Sequence, residues 1–94
     1  MKTETAEFLW FKLKAAITSN RPLLGSWCDA VKRAQIMTHF SPYVMVLTFK
    51  KSDKHAMEGL MRQGVRQYIQ TKAEELTGEP ILIVGTIKTT KKQL

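Results

Sequence analysis

The strongest constraint in this chain is a change of hydrophobic period near its middle. From Tyr43 to Phe49 the apolar residues alternate, with Tyr43, Met45, Leu47 and Phe49 on one side of an extended strand and Val44, Val46 and Thr48 on the other. Both faces of this strand are therefore partly apolar. Gln35–Thr38 precedes it across a short Phe40-Ser41-Pro42 turn, which predicts an antiparallel hairpin. Ile81–Thr86, β-branched and apolar, reads as a third strand.

The sequence on either side of the hairpin follows a helical period. Over Glu4–Thr18, Leu9, Trp10, Leu13, Ala16 and Ile17 form one buried stripe, while Phe8, Phe11 and Ala15 fall on the opposite side. A helix apolar on two sides is either sandwiched or carries a docking patch. Asn20 is placed to cap a second helix, with Pro22 in its first turn and Leu23, Leu24, Trp27, Cys28 and Val31 as its stripe. Lys54–Thr77 is helical again, with Leu60, Met61, Val65, Tyr68, Ile69, Ala73 and Leu76 on one side and Gly64 as the candidate kink or break. Gly78 and Pro80 stop this helix.

The order α-α-β-β-α-(α)-β predicts one α+β domain over residues 1–86, a small three-stranded sheet with helices packed on one face, and a basic flexible tail over 87–94. A core built on Trp10, Trp27, Leu47, Ile69 and Leu76 is expected. The chain's 94 residues suffice for one core and not for two.

Little in the sequence points to catalysis. Gly59 and Gly64 have P-loop spacing, but Val65 and Arg66 stand where Lys and Ser or Thr are needed, and the segment is helical. His39, His55 and the lone Cys28 supply too few ligands for a zinc site. Glu74 and Glu75 face different sides of a helix. No catalytic residue, metal or cofactor is expected, and the domain is read as a binding module, not an enzyme. A single cysteine suits a reducing, cytoplasmic setting. The densest apolar run, Tyr43 to Leu47, is far short of a bilayer span, so no membrane partner is expected. The net charge of +7 favours a polyanion or an acidic protein, although Lys12, Lys14, Lys32, Arg33, Lys50, Lys51, Arg62 and Arg66 are spread along the chain like a solvated surface.

Several segments together resemble a known family. Leu9-Trp10 with Leu13 and Ile17, Arg21-Pro22-Leu23, Val46-Leu47-Thr48-Phe49-Lys50, Lys54-His55, the helix from Val65 to Leu76, and Leu76-Thr77-Gly78-Glu79-Pro80-Ile81 are similar to the C-terminal domain of the bacterial DNA polymerase III gamma/tau subunit. The resemblance spans roughly residues 8–84 and implies a KH-like fold of type II order. It also implies a protein partner, because in that family an AAA+ clamp-loader ATPase is followed by a domain that tethers the replicative polymerase. The alternative is a KH-like domain binding single-stranded RNA or DNA. The spacing of Gly59 and Gly64 lacks the Gly-x-x-Gly clamp of such domains, so only weak, non-specific nucleic-acid binding is expected.

If helices cover one side of the sheet, the other side exposes Val44, Val46, Leu82 and Val84 unless the first helix or the tail closes it. That face is the expected site for an acidic-rimmed protein, with Lys88, Lys91 and Lys92 steering it from the rim. The Phe8 and Phe11 side of the first helix is the next candidate.

Overall fold

A computed structural model describes residues 6–88. Helices α1 (Ala6–Asn20) and α2 (Pro22–Cys28) lead into strands β1 (Val31–Met37) and β2 (Tyr43–Lys50). A 3-10 turn, Lys51–Asp53, leads to α3 (Lys54–Leu60), α4 (Gln63–Thr77) and β3 (Ile81–Lys88). The fold is α+β in the expected order. β2 is the central strand of a three-stranded sheet, antiparallel to β1 and parallel to β3. A parallel neighbour demands a long crossover, and α3 with α4 supplies it.

The core lies between the helices and one side of the sheet. Met45, Leu47 and Phe49 of β2 and Ile83 of β3 are wholly buried, together with Leu13 and Ile17 of α1, Leu60 of α3 and Ile69 of α4. Each such side chain contributes about 1.5–3 kcal/mol through burial. The expected stripe of α1 is the buried one: Leu9, Trp10, Leu13 and Ile17 all face inward.

Several boundaries differ from the sequence reading, each for a local reason. Asn20 does not cap α2. It closes α1, its Nδ2 donating to the Ala16 carbonyl at 3.0 Å, and Arg21 takes the cap position with no side-chain cap bond. A residue before proline avoids helical backbone, and Pro22 sets the break at Arg21 (φ −139°, ψ 82°). Val31 belongs to β1, not to the stripe of α2, and pairs with Phe49. A bulge between Val31 and Arg33 interrupts the alternation there, so the period of two shows itself only from Ala34 onward.

The long helix breaks two residues before Gly64. Arg62 is extended (φ −63°, ψ 145°) between α3 and α4, and Gly64 lies exposed in the first turn of α4. Leu76 is not core but 42% exposed. The inward line of α4 runs Ile69, Ala73, Thr77 in steps of four, and the Thr77 hydroxyl donates to the Ala73 carbonyl at 2.9 Å. Trp27 is half-buried, with its ring laid on Gly59 of α3, where an added Cβ would come within 2.5 Å of it. Gly78 ends α4 as expected, at φ 79° with its N–H on the Glu74 carbonyl. β3 continues to Lys88, two residues past the expected end, and residues 89–94 of the expected tail lie outside the described ones.

Candidate interaction face of the sheet

All the strand residues that belong to the buried core (Ala34, Met45, Leu47, Phe49, Ile81 and Ile83) point to the helices. Pleating sends their neighbours to the other face, and the register arranges these in rows. Met37 pairs with Val44 and Val44 with Leu82; Gln35 pairs with Val46 and Val46 with Val84. Next come Arg33, Thr48 and Thr86, and last Lys50 beside Lys88. Successive rows are about 7 Å apart, so the face grades from aliphatic to cationic over about 20 Å.

The expected residues Val44, Val46, Leu82 and Val84 are thus brought together as adjacent pairs. Leu82 is 39% exposed and Val44, Val46 and Val84 are half-buried. Lys88 stands at the far, basic end of the face, and Lys91 and Lys92 lie outside the described residues. Phe8 and Phe11, 50% and 64% exposed, sit on α1 and hence on the helix side of the sheet. They form a separate surface. The Lys12 ammonium lies 5.0 Å from the centre of the Phe8 ring.

α4 fixes the β3 side of this face. Arg66 Nε donates to the Ile83 carbonyl and the Ile83 N–H donates to Gln70 Oε1, both at 2.9 Å. These bonds occupy backbone groups at the outer edge of the sheet, where an added strand would otherwise pair. Arg66, which spoiled the P-loop pattern, acts as this edge clamp.

Three features escaped the sequence reading. Met37 extends the aliphatic rows and is 38% exposed, although its strand was too loosely bounded to assign a face. Leu23, placed in a buried stripe, is 87% exposed because α2 is only 7 residues long and turns Leu24 and Cys28 inward. Lys32, Lys50, Lys51 and Lys88 look scattered along the chain but converge at one end of the sheet.

Among the described residues no group of three or more His, Cys, Asp or Glu side chains is gathered. His39 lies in the β1–β2 loop with its ring 4.3 Å from that of Phe40. Burial pushes the Cys28 thiol up to about 11, with Asp29 adding to the rise and Lys14 opposing it, so the sulfur stays protonated at neutral pH. No described helix is long and apolar enough to cross a membrane. The chain matches no family model, no curated protein and no solved structure.

Proposed function

We propose that this domain is a protein-tethering module of the replication machinery, acting in the cytoplasm as the C-terminal domain of the gamma/tau subunit does. It would join a clamp loader to the replicative polymerase. The observation that carries this reading is the aliphatic end of the open sheet face, where Met37, Val44, Val46, Leu82 and Val84 sit in register. A continuous aliphatic patch on one face, with cations at its end, fits a protein surface with an apolar centre and an acidic rim. The α-α-β-β-α-α-β order, which is that of the resembled domain, is consistent with it.

The alternative, binding of a single strand in the manner of KH domains, has less support. The α3–α4 junction at Met61 and Arg62 carries no Gly-x-x-Gly, and Gly59 lies under the Trp27 ring. No aromatic side chain stands in the rows of the open face to stack a base.

The test is capture of the purified polymerase catalytic subunit by the immobilised chain. Val46→Asp, folded by circular dichroism, should weaken capture by at least roughly tenfold, as burying an unpaired charge at the centre of an interface does. Phe11→Asp should leave capture unchanged. The opposite pattern moves the site to α1, and no capture by the parent chain removes the tethering reading.

A further inference from the structure

The basic end of the open face holds a feature that the aliphatic rows do not explain. Lys32, Lys50, Lys51, Ser52 and Lys88 line a pocket of about 400 Å³. They are contributed by β1, β2, the 3-10 turn and β3. Lys50 and Lys88 are direct partners in the parallel ladder, so their side chains leave the sheet side by side. Like charges in that relation destabilise a sheet. The bulge in β1 falls at Lys32, and bulges re-aim a side chain in this way. Lys51 carries the charge into the turn.

The four lysines are also uncompensated. Lys14, Lys54 and Lys72 each pair with a carboxylate, those of Asp29, Glu58 and Glu75. Among the described residues, none of the pocket lysines does. Asp53, which closes the same turn, forms no ion pair with them.

We propose that this pocket binds a multiply charged phosphate group of about diphosphate size. Charge density selects the ligand. Four lysines lining one cavity call for several negative charges on one compact body, which a diphosphate carries. Carboxylates on one side of an extended peptide are about 7 Å apart, so an acidic segment places one in the pocket and the next at its rim. Lysine suits a phosphate as a point charge, without the planar fork by which arginine grips a carboxylate. The Ser52 hydroxyl adds a neutral donor. No aromatic ring lines the pocket, so a nucleobase finds no stacking surface and the phosphate alone is recognised. The site does not depend on the tethering reading.

The experiment is titration of the isotope-labelled full chain with inorganic pyrophosphate, followed by amide NMR. Saturable shifts centred on Lys32, Lys50, Lys51, Ser52 and Lys88 are expected. Lys50→Gln/Lys88→Gln should lower affinity by at least roughly tenfold, given the strength of charge-assisted bonds. Lys32→Gln/Lys51→Gln serves the same purpose through a pair not facing each other in the ladder. A nucleoside 5′-diphosphate titrated in parallel distinguishes the sources: affinity no greater than that of pyrophosphate is expected and marks a free phosphate ligand, whereas tighter binding would overturn recognition of the phosphate alone and mark a nucleotide. The proposal falls if no shift saturates, or if shifts spread equally to Lys12, Lys14, Lys54 and Lys72. It also falls if both double variants bind as the parent does, or if an oligoglutamate peptide displaces pyrophosphate at lower concentration, which would assign the pocket to an acidic protein.

Discussion

The two faces of β2 are built from similar residues and meet different fates. Met45, Leu47 and Phe49 are wholly buried by the chain's own helices, whereas Val44, Val46 and Thr48, one residue away on the same strand, are half-buried at most. Apolar character does not distinguish the faces. Topology does, because the crossover that returns β3 parallel to β2 lays α3 and α4 on one side of the sheet, and α1 packs against α4 there. The described helices thus leave the second face, with Val44, Val46, Leu82 and Val84, only partly covered. That partly covered face is the physical content of the tethering proposal.

Two adjacent alanine substitutions on β2 should separate the faces most widely. Leu47→Ala should cost about 2–5 kcal/mol in urea unfolding, since a wholly buried leucine leaves a cavity. Val46→Ala on the opposite face should cost less than about 1 kcal/mol. Equal costs would mean that the second face is a core in its own right.

Cys28 sharpens the helix side through pH. Its folded value of about 11 stands above the ordinary 9.0 because burial disfavours the thiolate. A raised value means that the folded state holds the proton more tightly. The stabilisation is therefore complete below pH 9.0 and is lost as pH rises through about 11. In full it amounts to about 2–3 kcal/mol. Stability measured from pH 8 to 11 should fall less steeply in Cys28→Ala than in the parent, and parallel curves would show a thiol open to solvent.

The contact of α2 with α3 gives a slightly smaller effect. A Cβ at Gly59 would stand 2.5–2.8 Å from three ring atoms of Trp27, closer than packed atoms tolerate. Gly59→Ala should cost about 1–3 kcal/mol through overpacking, with a change in tryptophan fluorescence. Gly64→Ala, with nothing within 4 Å, should not destabilise the domain.

These cases also mark how far the sequence could be read. The period of two through Tyr43–Phe49 was enough to place Val44 and Val46 together on one face, and Ile81–Thr86 added Leu82 and Val84. The period of 3.6 placed Leu9, Trp10, Leu13 and Ile17 on the buried side of α1 and Phe8 and Phe11 on the other, but a period carries no information on whether a neighbour covers that second side, which the structure leaves exposed. The bulge hid the start of β1, because it puts Lys32 and Arg33 in succession where alternation was sought. Leu76 was read as core because it lies three residues after Ala73, but the step of four to Thr77 holds the inward line. The lysine pocket was illegible for a deeper reason. It depends on the parallel register that sets Lys50 beside Lys88, and a register between distant strands leaves no mark in the local pattern.

Lys88→Glu has the smallest expected effect and tests the basic end of the open face most directly. In the parent, Lys88 and Lys50 are ladder partners of like charge, and neither has an acidic partner among the described residues. Glutamate at position 88 turns a repulsive pair into an attractive one. Cross-strand pairs of this kind are worth about 0.2–1 kcal/mol, and exposed ion pairs are of the same order. The thermal midpoint should therefore rise by roughly 1–6 °C in a domain of this size. The gain should shrink as salt is raised from 20 mM to 500 mM, conditions chosen so that the screening length falls from about 20 Å to about 4 Å. Pyrophosphate should raise the midpoint of the parent by mass action and leave that of Lys88→Glu almost unmoved. The variant would then be more stable alone and less responsive to the anion, a combination that a merely solvated lysine at this position does not produce. A midpoint that falls, or a pyrophosphate response equal to the parent's, would show that the lysines at this end of the sheet do not act on one another and do not share a ligand.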